Sequence, residues 1–240
     1  MMLAYHELAL TGGNDVYALS VEDFSRHAEI VSQRRGKSHC LTFDDGHMSN
    51  YELARPVLQA LAIPAAFFVT TCWVDVLDTV MTWSHLRELS SEGFVLGSHT
   101  HTHALLTGCG EAALRNELRS SKMLLEDRVG REVTLLSLPG GRGDARVLRA
   151  CREAGYECVY TSRVGQYLPA TDTMPEVIGR YVVTRATSER TLNAYLNGSP
   201  ATCGLLRLES SAKGWAKMLV GDGLYRRAWR KIARSQSYGT

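Results

Sequence analysis

The chain has 240 residues, of which 45% are hydrophobic and 22% are charged, and its formal net charge is +2. These values are typical of an ordinary globular protein that is long enough to bury a sizeable core. No run of about 18 apolar residues is present, so no transmembrane helix is predicted. The small net charge gives no reason to expect a nucleic-acid partner.

The N-terminus and the cysteines indicate in which cellular compartment the protein is expected. Residues 1–7 lack the basic region, the apolar stretch and the cleavage site of a secretory signal, which predicts a cytoplasmic protein. The six cysteines are scattered, without the short spacings of a zinc knuckle or a redox pair. We therefore expect them to be reduced and mostly buried.

Seven short apolar runs are predicted to be β-strands, and helical patterns separate them. The strands are expected at residues 3–5, 40–43, 65–69, 94–97, 134–138, 157–160 and 180–183. Helices are expected to begin after Ser20, Thr82, Asp144 and Ser188, whose side chains can cap a helix N-terminus. Another helix is predicted over residues 111–129, with apolar Leu114, Leu118, Met123 and Leu125, and with Gly130 as its stop.

This alternation predicts an α/β fold with a parallel sheet, because parallel neighbours need a crossover between them. Seven alternations over about 190 residues favour a closed or nearly closed barrel, and the alternative is an open, doubly wound sheet. We predict that the barrel domain covers residues 1–205 and that a basic helical extension covers residues 206–240.

The C-terminal extension is basic and amphipathic. From Arg207 to Thr240 the chain has eight basic residues and two acidic ones. One interpretation is a solvated terminal helix. The other is a helix attracted to an anionic membrane surface or an acidic glycan, which would place this cytoplasmic protein at the inner face of the membrane.

Polar residues follow the carboxyl ends of the predicted strands. They are His6, Asp44 and Asp45, Thr70 and Thr71, residues 98–103, residues 139–141, and Thr161 and Ser162. In parallel α/β architectures these ends converge on one face, where active sites form. The placement therefore predicts an enzyme.

Two motifs at that face predict a metal site. Residues 44–46, Asp-Asp-Gly, end an apolar strand, although alone they are also typical of a turn in which one acid caps a helix. His99, His101 and His103 follow another strand; an extended segment would place all three on one face, whereas a coiled one would pair His99 with His103. Two histidines and a carboxylate leave a position open for water, which is typical of catalytic zinc and does not exclude Co²⁺ or Ni²⁺.

The chain resembles the polysaccharide deacetylase family, which shares homology with the NodB-type chitooligosaccharide deacetylases. Residues 42–46, Thr-Phe-Asp-Asp-Gly, match the family's first motif without a change, and residues 99–103 fit its second motif, His-Ser/Thr-x-x-His. The apolar run at residues 62–69 and the Tyr-His pair at residues 5–6 resemble further parts of the family sequence. The resemblance covers residues 1–195 and implies a distorted (β/α)7 barrel.

The resemblance also implies a role for each motif residue. Asp44 becomes the general base, and Asp45, His99 and His103 become the metal ligands. His101 falls at a variable position and is expected to line the mouth of the site or to support it. The implied reaction is attack of a metal-activated water on the N-acetyl carbonyl of an amino sugar, in a polysaccharide or a glycan precursor, while Asp44 takes the proton.

The third family motif, Arg-x-Pro-aromatic-Gly, is altered here to Ser-Leu-Pro-Gly-Gly at residues 137–141. Pro139 and Gly140 are expected to contact the substrate, and the Gly140 N–H is a candidate donor to the oxyanion. Ser137 replaces the arginine that steadies the base. Arg142 is a candidate for the missing cation, or else a solvated loop residue.

Two later family motifs, Asp-x-x-Asp-Trp and Leu-x-Leu-His, are not found, and no histidine follows His103. The general acid is therefore unassigned. His6 is the candidate, and the alternative is a structural residue at the barrel mouth. These departures leave chitin, peptidoglycan, exopolysaccharide and lipid-linked sugar precursors all open as substrates.

Two further functions stay open on the same barrel. One is a metal-dependent hydrolase of another C–N bond, such as a cyclic imide or an arylamide. The other is a carbohydrate-binding protein that has lost turnover. The intact set of Asp44, Asp45, His99 and His103 argues against that loss, because a pure binder does not need a base beside a metal.

Overall fold

The computed structural model describes residues 1–11, 15–34 and 40–208. Within these ranges, seven parallel strands form a closed barrel: each pairs with the next along the chain, and the last pairs with the first. The strands are β1 (Met2–Tyr5), β2 (Cys40–Phe43), β3 (Ala65–Val69), β4 (Val95–Ser98), β5 (Leu135–Ser137), β6 (Cys158–Thr161) and β7 (Glu176–Val182). The pairing of β1 with β7 confirms the predicted barrel and rules out the doubly wound alternative, because an open sheet leaves its edge strands unpaired.

The barrel is distorted and carries small additions. β4 and β5 share a single residue pair, Ser98 with Leu136, so the sheet is weakest between them. Beside the barrel, the short strands Glu7–Ala9 and Ala18–Ser20 pair in parallel. Tyr167–Leu168 pairs antiparallel with β7.

Helices connect the strands on the outside of the barrel. They are α1 (Val21–Ser32), α2 (Arg55–Ala60), α3 (Trp83–Ser91), α4 (Glu111–Val129), α5 (Ala145–Glu153) and α6 (Glu189–Leu196), and residues 200–208 are also helical. The four predicted capping side chains, on Ser20, Thr82, Asp144 and Ser188, each accept a backbone N–H three residues on. The sequence patterns missed α2 and the π-helical turn Asn50–Ala54, because six and five residues are too few to show a helical period.

The apolar faces of the helices pack on the barrel and form one large core. On α4, Leu114, Leu118 and Leu125 are fully buried. Each such side chain contributes about 1.5–3 kcal/mol relative to an exposed one, so this layer supplies much of the stability of the barrel. Met123, the fourth apolar residue of this pattern, is instead 68% exposed, and the charged Glu117 is buried.

The interior of the barrel holds a second, smaller cluster around the Phe68 ring. A Cβ atom at Gly97 would lie 2.5 Å from that ring, so only glycine leaves room for it. The Arg180 guanidinium lies over two aromatic rings, with its Cζ 5.4 Å from the centroid of Phe68 and 5.6 Å from that of Tyr160. The barrel lumen is therefore filled by aromatic rings and one fully buried cation.

The remaining expectations concern thiols, membranes and the extension. The five cysteines whose side chains are described are free. Cys151 and Cys158 are buried, whereas Cys72, Cys109 and Cys203 are only half-buried. The prediction that most cysteines are buried was therefore wrong. No helix in the described part of the chain is long and apolar enough to cross a membrane. Leu206 still packs into the core. The basic extension beyond residue 208 lies outside the described residues, and its predicted helix stays a prediction.

Candidate metal centre and active site

Three of the predicted ligands come together at the carboxyl ends of β2 and β4. Asp45 Oδ1 lies 3.4 Å from His99 Nε2 and 3.3 Å from His103 Nε2. One potential ligand atom from each residue lies within 4.8 Å of the others. His101 is not part of this group, since its Nδ1 lies 2.9 Å from the hydroxyl of Thr71.

The geometry of this triad fits a divalent metal ion. Donor atoms at about 2.0–2.1 Å from a tetrahedral zinc lie roughly 3.3 Å from one another, which matches both distances to Asp45. Asp45 Oδ1 is buried and has no hydrogen-bond partner among the described residues. A cation between the three side chains would satisfy this orphaned oxygen, and the mixed nitrogen and oxygen donors suit zinc, cobalt and nickel.

The ring of His99 is oriented by a backbone carbonyl. Its Nδ1 lies 2.8 Å from the carbonyl oxygen of Ser137, which can only accept a hydrogen bond. Nδ1 therefore carries a proton, and Nε2 faces Asp45. Burial lowers the pKa of His99, but the carboxylates of Asp44 and Asp45 outweigh it and raise the pKa, so protons compete with a metal at Nε2.

The chain reaches this geometry through left-handed backbone conformations. Asp45, Thr100 and His103 have φ angles of 71°, 67° and 61°. These conformations are uncommon for residues other than glycine. The bend between His99 and His103 turns both rings towards Asp45, so the coiled alternative applies and the extended one does not. The His103 ring also stacks on Trp73, with centroids 5.2 Å apart.

Asp44, the predicted base, is buried and held by two side chains. Arg180 donates to both carboxylate oxygens, from Nη1 to Oδ1 at 2.8 Å and from Nη2 to Oδ2 at 2.7 Å. Ser137 Oγ also donates to Oδ2 at 3.1 Å and accepts from Arg180 Nη2 at 2.7 Å. Burial raises the pKa of Asp44, but the charges of Arg180 and His99 outweigh it and lower the pKa to about 2. Asp44 is therefore ionised at neutral pH.

Arg180 is the functional residue that the sequence reasoning missed. The hydrogen bonds to Asp44 come from Arg180 on β7, so Arg180 supplies the cation for which Arg142 was one candidate. One signal was present in the sequence. Side chains along a strand alternate between its two faces, so Arg180 lies on the same face as Ile178. Ile178 packs in the barrel interior. An arginine in that interior needs a buried partner.

The comparison with known sequences decides the family. Residues 32–159, more than half of the chain, match the sequence model of the polysaccharide deacetylase family. The chain belongs to this family. Both motifs of the site, at residues 42–46 and 99–103, lie within the matched segment.

Individual members of the polysaccharide deacetylase family are distant relatives. The YxkH protein of Bacillus subtilis, named for this family, is 30% identical over 138 residues, which are 57% of this chain and 49% of that protein. The chitooligosaccharide deacetylase of Rhizobium leguminosarum bv. trifolii is 31% identical over 126 residues, which are 51% of this chain and 55% of that protein. The chain thus spans about half the length of these curated relatives.

A solved structure shows the same fold. The Streptococcus pyogenes deacetylase PplD, in complex with acetate, has a TM-score of 0.72 to this chain at 18% sequence identity. The match covers 83% of this chain and 97% of that one. The distorted barrel is therefore shared over most of this chain.

The altered third family motif has a steric explanation. Gly140 has a φ of 68°, and a Cβ atom there would lie 2.8 Å from Leu105 Cδ2. An aromatic side chain here would require the tip of Leu105 to move and the backbone to keep a left-handed conformation that favours glycine. Pro139 is buried and Gly140 is exposed, directly after the strand that carries Ser137. Their contact with substrate stays a prediction.

His6, the candidate acid, lines a cavity that also reaches Asp45. The cavity has a volume of about 170 Å³ and is lined by His6, Glu7, Asp15, Tyr17, Asp45 and His47. The His6 ring packs against Tyr17, with centroids 4.9 Å apart, and its Nδ1 is buried without a hydrogen-bond partner among the described residues. His6 and Asp45 thus line the same cavity, and the role of His6 as the acid stays a prediction.

Proposed function

We propose that the protein is a metal-dependent N-deacetylase that removes acetyl groups from amino sugars of a polysaccharide or a glycan precursor. One observation carries the proposal. The Asp44–Arg180 ion pair lies directly beside the triad of Asp45, His99 and His103, and His99 faces both carboxylates. A carboxylate held in place next to a candidate metal site supports a catalytic role, because hydrolysis needs a base there and sugar binding alone does not.

Asp45, His99 and His103 would hold the metal, for which Zn²⁺ is the first choice and Co²⁺ or Ni²⁺ are alternatives. When bound, the ion supplies Lewis-acid chemistry: it polarises the amide carbonyl and lowers the pKa of the attacking water. The Ser137 carbonyl would hold the His99 ring in its ligating orientation.

The other residues of the site move protons and hold charge. Asp44 accepts the proton of the water, and Arg180 and Ser137 prevent its carboxylate from rotating away. We assign His6 as the acid that protonates the leaving amine. We assign the Gly140 N–H as a donor to the developing oxyanion, a role that an exposed backbone amide in a tight turn can perform.

The names of relatives support an N-acetylated glycan as the substrate class. They include a chitooligosaccharide deacetylase, a peptidoglycan-N-acetylglucosamine deacetylase and a peptidoglycan-N-acetylmuramic acid deacetylase. These three substrates share an N-acetyl group on a hexosamine. We propose this unit, within a chain or a precursor, as the group that the site accepts.

The test is acetate release by the zinc-loaded protein from chitooligosaccharides, peptidoglycan, N-acetylated exopolysaccharide and nucleotide sugars. Asp44→Asn keeps the shape of the base but removes its basicity, so turnover should fall roughly 10²–10⁴-fold while zinc content is retained. Asp45→Asn should lose both zinc and turnover. His6→Gln should keep zinc and lose turnover, which separates the acid role from metal binding.

Two results would contradict the proposal. Wild-type turnover by Asp44→Asn would remove the base assignment. If the zinc-loaded wild-type protein hydrolysed none of these substrates, the result would favour one of the two alternative functions. These are a hydrolase of another amide bond and a sugar-binding barrel without turnover.

A further inference from the structure

A buried carboxylate on α4 faces the loop that carries both histidine ligands. Glu117 is 7% exposed. Its Oε2 accepts the backbone N–H groups of His101 and Thr102 at 2.9 Å and 2.8 Å, and its Oε1 accepts the hydroxyl of Thr102 at 2.6 Å. Both oxygens of a charged side chain are thus used to bind the loop, and neither touches the candidate metal ligands.

The position of these hydrogen bonds in the loop is informative. His101 and Thr102 lie between the two left-handed residues, Thr100 and His103. Left-handed conformations are unfavourable for residues with side chains and persist only where the surroundings hold them. Because Glu117 holds the two residues between these bends, it fixes the angle at which His99 and His103 approach each other.

A second attachment lies one turn further along α4. Ser98 Oγ donates to Ser121 Oγ at 2.8 Å and accepts the N–H of Thr100 at 3.0 Å. Glu117 and Ser121 are four residues apart and therefore lie on the same face of the helix. From the opposite side, the N–H of Thr71 donates to the Thr100 carbonyl at 3.3 Å. The loop is clamped between α4 and the segment after β3.

We propose that Glu117 is a positioning residue that sets the metal affinity of the centre by holding the 99–103 loop in its ligating conformation. The inference rests on the proposed metal site. Partners that orient metal ligands typically account for roughly 10–100-fold in affinity, and Glu117 acts on two ligands at once through their shared backbone.

The test measures the dissociation constant for Zn²⁺ by competition with a chelating dye, together with thermal unfolding of the metal-free protein. Glu117→Ala should bind Zn²⁺ roughly 10–100-fold more weakly than wild type. Glu117→Gln should recover most of the affinity, since its amide oxygen can still accept both N–H groups while its amide nitrogen donates to the Thr102 hydroxyl.

Glu126→Ala is the matched control. Glu126 also lies on α4, and its carboxylate likewise accepts a backbone N–H, from Val133 at 3.0 Å, and pairs with Lys122. Both Glu126→Ala and Glu117→Ala should lower the unfolding temperature of the metal-free protein. Glu126→Ala should leave the Zn²⁺ dissociation constant unchanged. A purely structural role for Glu117 would make the two variants alike in both measurements.

Wild-type Zn²⁺ affinity in Glu117→Ala overturns the inference, as does equal weakening in Glu126→Ala. If Glu117→Ala does not fold, Thr102→Val tests the inference in its place. This variant removes one of the three hydrogen bonds to Glu117 and should weaken Zn²⁺ binding about fivefold. An unchanged Zn²⁺ affinity of Thr102→Val would overturn the inference. Failure of the wild-type protein to bind Zn²⁺ would instead remove the proposed metal site itself.

Discussion

At the scale of single residues, Arg180 lowers the pKa of Asp44, the proposed base. Its guanidinium is fully buried and binds both oxygens of Asp44, and Nη1 also donates to Thr42 Oγ1 at 2.9 Å. Removal of one partner from a buried ion pair costs about 3–5 kcal/mol, because the other charge is left without compensation. The ion pair lowers the pKa of Asp44 from its ordinary 3.8 to about 2. The ion pair therefore stabilises the fold fully above pH 3.8, and this stabilisation is lost as the pH falls towards about 2.

Arg180→Met should therefore lower the free energy of unfolding by about 3–5 kcal/mol at neutral pH. Burial without the cation should raise the pKa of Asp44, so the acid limb of the kcat/KM profile should move to higher pH. Denaturant unfolding and the pH profile measure the two effects. An unchanged acid limb would show that Arg180 does not control the protonation of Asp44.

Lysine and a relocated arginine are the controls for this variant. Arg180→Lys keeps a charge but not the two-pronged donor, so turnover should still fall by roughly 10²-fold through misplacement of the base. The double variant Arg180→Ser with Ser137→Arg restores the arrangement of the family motif. It should be more active than either single variant, because both positions face Asp44.

At the scale of elements, the loops after β2 and β4 carry the unusual backbone. Asp45, Thr100 and His103 are three of the five residues other than glycine with positive φ in the described chain. Each costs of order 1–3 kcal/mol, and such strain is typical of functional sites. Apolar strands carry both loops, and Glu117 and Ser121 on α4 bind the loop that follows β4.

His103→Ala and His101→Ala form a matched pair within one loop. His103 Nε2 faces Asp45, whereas His101 bonds the Thr71 hydroxyl. We expect His103→Ala to lose stoichiometric Zn²⁺ in elemental analysis of the purified protein and His101→Ala to retain it. Full occupancy in His103→Ala would rule out that ligand, and loss of metal in both variants would indicate that the loop, not the ligand, had been disrupted.

At the scale of the whole molecule, closure of the barrel brings the last strand beside the first. β7 pairs with β1 from Met2–Arg180 to Ala4–Val182. This closure places Arg180 inside the lumen, next to strands from the N-terminal half of the chain. The basic extension follows the helical residues 200–208, and its membrane contact and the cytoplasmic location remain proposals.

Truncation after Leu208 tests the extension. Leu206 is buried in the core, so a cut after Leu208 keeps this residue. If the segment from Gly223 to Arg234 lies on a membrane surface, the truncated protein should lose binding to phosphatidylglycerol vesicles and keep turnover of a soluble substrate. Binding by the full chain should weaken with added salt, because exposed charges are screened over about 8 Å at physiological ionic strength. Salt-independent binding, or equal binding after truncation, would contradict this proposal.

The sequence by itself determined the order of the seven barrel strands, the starts of four helices and the family. Short apolar runs, apolar positions at a helical period of 3.6, capping residues such as Ser20 and Asp144, and the stop at Gly130 are local signals. Each depends on residues within a few positions of one another. The same holds for the residues 42–46 and 99–103, which revealed the site because each motif is contiguous.

Only the tertiary structure decided how the site is supported. Arg180 is 136 residues from Asp44 in sequence, and no local pattern links an arginine near the end of the chain to a carboxylate near its start. Glu117 is 16 residues from His101 and resembles an ordinary charged residue on a helix surface. Their roles arise because the closed barrel and the packing of α4 bring distant side chains into one buried space. There, every charge must find a partner.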